Sequence, residues 1–139
     1  MVDIAESTGF ITVFIVLGGN NFNPLIKDSN VHNRTVEEII SHFEDLLQFS
    51  EKSSGTKIKI CSLIPRPKFS HLKIFFEKTS IGLSVLCKKY KCGTFIDCHS
   101  LFQDASGQTL LHYYKLDRIH LNRYASEKLA LHIFNSFWK

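Results

Sequence analysis

The sequence predicts an α/β domain in which a short parallel sheet lies between two layers of helices. Segments of strand type alternate with segments of helical spacing, in the order strand, helix, strand, helix, strand, loop, helix. This alternation is typical of parallel sheets whose strands are joined by right-handed crossovers. The first strand segment, residues 11–17, is apolar on both faces, which predicts that structure covers it on both sides.

The composition is that of a single globular domain. The 139 residues are 44% hydrophobic and 22% charged, with a formal net charge of +4. A chain of this length should bury about two-thirds of its unfolded surface. Residues 1–139 are therefore expected to form one domain.

Cysteine usage and the N-terminus predict the environment of the protein. None of the four cysteines forms a C-x-x-C pair, so a zinc site is not expected, and no metal or cofactor is predicted. The N-terminus is acidic, and its apolar run is far shorter than a membrane span. These features favour a cytoplasmic protein in a reducing compartment, without a membrane partner.

The first third of the chain predicts one strand and one long helix. Residues 3–8 have the character of a helix end that stops at Gly9, and the strand at 11–17 follows. A capping box at residues 35–38 then predicts the start of a helix that Gly55 ends. Its apolar stripe has amphipathic spacing and consists of Val36, Ile39, Ile40, Phe43, Leu46 and Leu47.

The middle of the chain predicts a second strand and a second helix. The strand at 57–63 stops at the sequence Pro65-Arg66-Pro67, and a helical pattern then covers residues 72–90. Gly82 predicts a kink or an interruption in this helix, at a cost of about 1 kcal/mol relative to Ala.

The last third predicts a short strand, a long loop and a final helix. Gly93 precedes the strand at 94–97, and residues 98–116 are predicted as loop. Asn122 is a favourable N-cap for the final helix. The predicted core stripe of that helix is Ala125, Leu129, Ile133 and Phe137.

Two polar motifs lie at positions where parallel sheets bind ligands. The sequence Gly-Gly-Asn-Asn at residues 18–21 directly follows the first strand, and Asp117 and His120 precede the final helix. A carboxylate three residues before an imidazole can accept a hydrogen bond from one ring nitrogen. The other nitrogen is then free to act as a base.

Together the two motifs resemble blocks III and V of the SGNH, or GDSL-type, hydrolases, a family of esterases and acyl hydrolases. Ile64-Pro65-Arg66-Pro67 after the middle strand is also similar to SGNH-like domains of retroelement-derived and invertebrate proteins. The resemblance implies a flavodoxin-like three-layer α/β/α fold with the sheet order 2-1-3-4-5. It also implies that this chain holds only the third to fifth strands and lacks the first two.

The resemblance implies a role for each motif residue. Asn20 would donate its side-chain amide to the oxyanion of a tetrahedral intermediate, with Gly18 and Gly19 in the same substrate-binding loop. An amide suits this role because it donates hydrogen bonds without releasing a proton. His120 would be the general base and Asp117 its orienting carboxylate, and the substrate would be a small-molecule ester.

Ordinary structural roles stay open for the same residues. Asn20 is also typical of turns with left-handed backbone, and Asp117 could cap a turn or pair with the neighbouring arginine. Asp104 and His112 are further candidates to line the pocket. Structural or solvent-exposed roles are nevertheless predicted for all six histidines other than His120, namely His32, His42, His71, His99, His112 and His132.

The nucleophile block of the family, a serine in Gly-Asp-Ser after the first strand, has no match here. Ser7 precedes a strand, Ser62 lies within one, and Ser100 and Ser106 fall in the late loop. The nucleophile is therefore unknown, and the isolated chain is expected to be catalytically inactive. It would be either a C-terminal portion of a longer hydrolase or a derived domain that has lost catalysis.

Two kinds of macromolecular partner are also predicted. The strand at 11–17 would have an unpaired apolar edge without proline or charge, which favours self-association or pairing with a partner chain. As an alternative to a hydrolase, the chain would be a non-catalytic interaction module that binds RNA through a basic face. The candidates for that face are Lys57, Lys59, Arg66, Lys88, Lys89 and Lys91.

Overall fold

The structure, a computed structural model, describes residues 12–15, 19–53 and 55–137. These residues form three strands and three α-helices that alternate along the chain. The elements are β1 (Thr12–Ile15), α1 (Ser29–Ser53), β2 (Lys57–Cys61), α2 (Lys73–Lys89), β3 (Gly93–Ile96) and α3 (Arg123–Phe137). The strands are parallel and lie in the order β1-β2-β3. The predicted α/β fold is confirmed.

The side chains of β2 show how the three layers are built. Ile58 and Ile60 belong to a core cluster that includes apolar residues of α1 and α2. Cys61 points to the opposite face, where its cluster is packed against Leu129 and Ile133 of α3. Successive residues of a strand face opposite sides of the sheet, so this alternation places α1 and α2 on one face and α3 on the other.

The start of α1 differs from the prediction. The helix begins at Ser29 because Asp28 caps it: Asp28 Oδ1 accepts a hydrogen bond from Asn30 N at 2.9 Å. Thr35, predicted as the cap, lies inside the helix, where its hydroxyl donates to the carbonyl of Val31 at 3.1 Å. The carboxylate of Asp28 therefore starts the helix about two turns before the predicted position.

Gly82 lies within α2, which is continuous from Lys73 to Lys89. The predicted interruption is wrong, and packing explains the glycine. A Cβ at this position would collide with Cδ1 of Ile40 in α1 and would lie 3.1 Å from Cγ1 of the same residue. The missing side chain therefore lets the two helices on this face approach closely.

The predicted loop at 98–116 contains ordered structure. It holds the short 3-10 helices His99–Phe102 and Leu111–Tyr113, and an isolated bridge pairs Gln103 with Thr109. An aromatic cluster adds to these backbone hydrogen bonds. The cluster residues Phe102, Tyr113 and Tyr114 are buried with Ala125, the first residue of the predicted α3 stripe.

Some predictions fall on parts of the chain that the structure does not describe. The helix end at 3–8 with Gly9, and Ile11, Val16 and Leu17 of the first strand, lie outside the described residues. Within the described part, β1 is an edge strand, and Val13 is 38% exposed. No helix in this part is long and apolar enough to cross a membrane.

Candidate functional site

The candidate site lies at the carboxyl ends of β1 and β2. The loop after β1 forms a short 3-10 helix, Gly19–Asn21, and the chain after β2 continues without regular structure to Arg66. Ligands of open parallel sheets bind at this edge. The segment 113–122, which leads into α3, completes the region.

Asp117 and His120 form a short, well-defined contact. The Nδ1 atom of His120 lies 2.6 Å from Oδ2 of Asp117, as the sequence predicts. The other carboxylate oxygen of Asp117 accepts hydrogen bonds from the backbone N–H groups of Ile119 and His120, at 2.9 and 3.0 Å. Asp117 therefore both caps its own turn and contacts the imidazole of His120.

The electrostatics follow from these contacts. The hydrogen bond from His120, reinforced by the two backbone N–H groups, holds the pKa of Asp117 well below its usual value. Asp117 is therefore a carboxylate at neutral pH, and it favours the ring tautomer that carries a proton on Nδ1. The side chain of His120 is 71% exposed, and among the described residues its Nε2 atom has no hydrogen-bond partner.

Arg118 shapes the turn between the two site residues. Its φ is 58°, a left-handed conformation that costs a residue with a side chain about 1 kcal/mol or more. Its N–H donates to Lys115 O at 3.0 Å, and its own carbonyl accepts from Lys68 N at 3.0 Å. The guanidinium donates to Leu111 O at 3.3 Å, so Arg118 is not the ion-pair partner of Asp117.

The ends of the segment that carries the pair are held together by backbone pairing. Tyr114 and Leu121 form an antiparallel bridge, and Lys115 N donates to His120 O at 2.9 Å. Asn122 caps α3 as predicted, because its Oδ1 accepts from Ala125 N at 2.9 Å. The amide nitrogen of Asn122 donates to His112 O at 2.7 Å.

Asn20 is held by a residue that the sequence analysis did not place in the site. Oδ1 of Asn20 accepts a hydrogen bond from Nη2 of Arg66 at 2.7 Å. Because the oxygen is occupied, the amide nitrogen is the group left to donate, and among the described residues it has no acceptor. The amide nitrogen is therefore the side-chain group of Asn20 that can donate to a ligand.

Gly19 makes the approach of Arg66 possible. A Cβ on Gly19 would lie 2.9 Å from Nη2 and 3.1 Å from Cζ of the guanidinium. A larger residue would require the guanidinium to shift, so Gly19 lets Arg66 reach Asn20 in its present position. Gly18, the other predicted glycine of this loop, lies outside the described residues.

The segment after β2 contacts both motifs. Arg66 bonds Asn20, Lys68 N bonds the carbonyl of Arg118, and the hydroxyl of Tyr114 donates to the carbonyl of Pro65. Burial raises the pKa of the Tyr114 hydroxyl, which keeps it a neutral donor at that contact. One short proline-flanked segment thus connects the loop of Asn20 with the turn of His120.

The serines considered as nucleophiles have other partners. The Oγ atom of Ser62 accepts from the backbone N–H groups of Cys98 and His99, both at 2.8 Å, and the residue is 2% exposed. Ser100 Oγ donates to Asp97 and Ser106 Oγ to Asp104, at 2.6 and 2.7 Å. Ser7 lies outside the described residues.

Asp104 and His112 have local contacts of their own. Asp104 Oδ1 accepts from the backbone N–H groups of Ser106 and Gln108, so it closes a turn. His112 is exposed, and its ring packs 4.1 Å from that of Tyr113. Within the described residues, no group of three or more His, Cys, Asp or Glu side chains is arranged to hold a metal ion.

The six residues predicted as a basic face do not share one surface. Lys59 is 7% exposed and donates to the carbonyl of Ser136 at the end of α3. Lys57 is the first residue of β2, whereas Arg66 follows its last residue. The two therefore lie beyond opposite ends of this strand. Lys89 is bound to Glu44 at 2.9 Å. Alternation along β2 therefore buries one member of the predicted face, whereas the RNA-binding prediction itself stays a prediction.

The comparisons with known proteins show the fold. No family model and no curated protein matches the sequence. A solved structure from Streptococcus pneumonia, described as a "putative platelet activating factor", superposes with a TM-score of 0.70 at 18% identity over 91% of this chain. This chain spans 59% of that protein's length. This likeness shows the α/β fold of the chain.

Proposed function

We propose that the chain is an SGNH-type acyl-ester hydrolase domain that holds the base and the oxyanion donor of an active site but hydrolyses no ester by itself. The observation that carries this proposal is the 2.6 Å contact between His120 Nδ1 and Asp117 Oδ2. It leaves the second ring nitrogen exposed, in the arrangement that a general base requires. The solved structure described as a "putative platelet activating factor" supports the proposal through its similar fold.

Each residue has a distinct part in the proposed chemistry. His120 Nε2 would accept the proton of a hydroxyl nucleophile and later return it to the leaving alcohol. Asp117 keeps the other nitrogen protonated and stabilises the imidazolium that forms. The amide nitrogen of Asn20 would donate to the oxyanion, and Arg66 keeps the amide oxygen turned away from it.

The expected lack of ester hydrolysis follows from the contacts that the candidate serine nucleophiles make. Ser62 is buried and accepts two backbone hydrogen bonds, while Ser100 and Ser106 are bonded to aspartates. Without a triad serine, only the residual catalysis of the oxyanion hole and of binding is expected. The nucleophile would be supplied by another polypeptide segment.

An esterase assay tests the inactive state of the isolated chain. Hydrolysis of p-nitrophenyl acetate and butyrate should be the same for the wild-type chain, for His120→Ala and for the control His42→Ala, which changes an exposed histidine of α1. Ester hydrolysis well above the buffer rate that His120→Ala abolishes and His42→Ala retains would overturn the proposal that the isolated chain is inactive. It would show that an unrecognised nucleophile is present.

The tautomer of His120 tests the base itself. Nitrogen NMR of the imidazole should show a protonated Nδ1 and an unprotonated Nε2 above the titration range of the ring, and Asp117→Ala should remove this preference. His42, which has no carboxylate contact among the described residues, is the internal control. A wild-type His120 with its proton on Nε2 would refute the proposed base.

A further inference from the structure

The outer side of β3 is an open edge of the sheet. Within the described part of the chain, β3 pairs only with β2, and Ser62 N donates to Ile96 O at 3.0 Å. Residues that bond the same neighbour alternate along a parallel strand, so Thr94 and Ile96 bond β2. The N–H and C=O groups of Phe95 therefore point to the free side. An edge of this kind can accept a further strand from another polypeptide.

A groove lies beside this edge, between α2 and the end of β3. Its volume is about 350 Å³, within the range of sites that hold a small ligand or a side chain. The residues that line it include Ser80, Ile81 and Ser84 of α2, together with Phe95 and Asp97. Ile81 is 66% exposed, so the groove offers apolar surface to a partner.

The groove is negatively charged. Glu77 and Asp97 line it, and none of the described lysines and arginines does. Asp97 accepts from the hydroxyl and the N–H of Ser100 at 2.6 and 3.2 Å, and no described lysine or arginine lies within 4.0 Å of its carboxylate. Burial raises the pKa of Asp97, but the hydrogen bonds from Ser100 and the other neighbours outweigh it and hold this pKa below its usual value. Asp97 is therefore a carboxylate at neutral pH.

We propose that the groove between α2 and β3 binds an extended peptide segment of basic character, which adds a strand beside β3. The peptide backbone would bond the N–H and C=O groups of Phe95. A lysine or arginine side chain would enter the groove, with its apolar stem against Ile81 and Phe95 and its charge near Glu77 and Asp97.

The charge of the groove favours a basic segment over an apolar one. An apolar side chain would cover the carboxylates of Glu77 and Asp97 without giving them a counter-ion, which is unfavourable. The surface uses neither Asn20 nor the pair of Asp117 and His120. The peptide site and the proposed hydrolase function can therefore be tested, and can fail, independently.

NMR titration of the whole chain tests the surface with a synthetic peptide, acetyl-Thr-Val-Arg-Val-Thr-amide, at constant ionic strength. Saturable shifts of the Ser84, Phe95 and Asp97 amides are expected. The matched peptide with glutamate in place of arginine should bind about tenfold more weakly, because it brings a like charge to the groove. The absence of saturable shifts with the arginine peptide, or equal affinity for the two peptides, overturns the proposal.

Amide hydrogen exchange tests whether the peptide adds as a strand. The N–H of Phe95 should exchange rapidly in the free chain, and a peptide concentration of about ten times Kd should slow it about tenfold. The N–H groups of Thr94 and Ile96, which bond β2, are internal controls and should change little. Unchanged exchange at Phe95 when the groove is saturated would show that the arginine side chain binds alone, and would overturn strand addition.

Variants then locate the charge. Asp97→Asn and Glu77→Gln should each weaken affinity for the arginine peptide by about two- to fivefold, the range of a partly exposed ion pair. The amide oxygen of Asp97→Asn can still accept from Ser100 N, so the turn after β3 is kept. Asp45→Asn removes the same charge from an exposed site on α1 and is the matched control. Unchanged affinity in the double variant of Asp97 and Glu77, or an equal loss in Asp45→Asn, overturns the assignment.

Discussion

Replacement of Asn122 should loosen the turn that carries the candidate base. Its side chain makes two contacts, one that caps α3 through Ala125 N and one that donates to His112 O. Loss of an N-cap costs about 1 kcal/mol, and an exposed neutral hydrogen bond contributes about 0.5–1 kcal/mol. Asn122→Ala should therefore lower the free energy of unfolding by about 1.5–2 kcal/mol.

A second substitution separates the two contacts. Asn122→Asp keeps an oxygen that accepts from Ala125 N, and its negative charge is favourable at a helix N-terminus. It loses only the donor to His112 O, so its expected cost is about 0.5–1 kcal/mol. The difference between the unfolding free energies of the two variants measures the contribution of the N-cap to stability.

Urea unfolding gives the free energies, and amide hydrogen exchange reports on the turn. Exchange at Ile119 and His120, whose N–H groups bond Asp117, should be faster in Asn122→Ala than in Asn122→Asp. An unfolding free energy of Asn122→Ala within about 0.5 kcal/mol of wild type would refute the reasoning, since surface changes without structural role fall in that range.

Two further predictions concern pH and association. Because the folded pKa of Asp117 is lowered, its contribution to stability is present above its unfolded pKa and is lost as the pH falls towards the folded value. The cost of Asp117→Asn, measured by urea unfolding, should therefore shrink below about pH 4, and a pH-independent cost would contradict this. The exposed edge of β1 should favour self-association, which Val13→Lys should reduce in light scattering while the control Val85→Lys on α2 does not. A wild-type chain that stays monomeric at high concentration and binds no hydrophobic dye would contradict the second prediction.

Periodicity was sufficient to predict the layers of the fold. The apolar alternation of β2 and the stripe of α1 are properties of single segments, and tertiary packing agrees with them. The start of α1 was missed because two capping signals compete, and the sequence does not show that Asp28 acts before Thr35. The ordered structure within the loop at 98–116 was not predicted, because its aromatic cluster forms through contacts distant in sequence, which have no period.

In the candidate site, too, contacts between residues near in sequence were predicted and contacts between distant residues were not. Asp117 and His120 were predictable because a three-residue spacing brings them together within one turn. The contact of Arg66 with Asn20 joins residues 46 positions apart, so only the sheet register brings it about. Lys59 was misplaced for a related reason, since its charge was counted without the face of the strand on which it lies.

The segment after β2 therefore has a greater role than its sequence suggested. Parallel strands deliver their following loops to one edge, so the residues after the central strand lie between those that follow its neighbours. Here Pro65, Arg66 and Lys68 bond the loop after β1 and the turn before α3. These contacts join the two motifs that resemble a hydrolase site, and within residues 19–53 and 55–137 Arg66 is the side chain of this segment that bonds a motif residue. Substitution of Arg66 should therefore change the amide chemical shift of Asn20 more than that of His120, which NMR spectra of the variant would show.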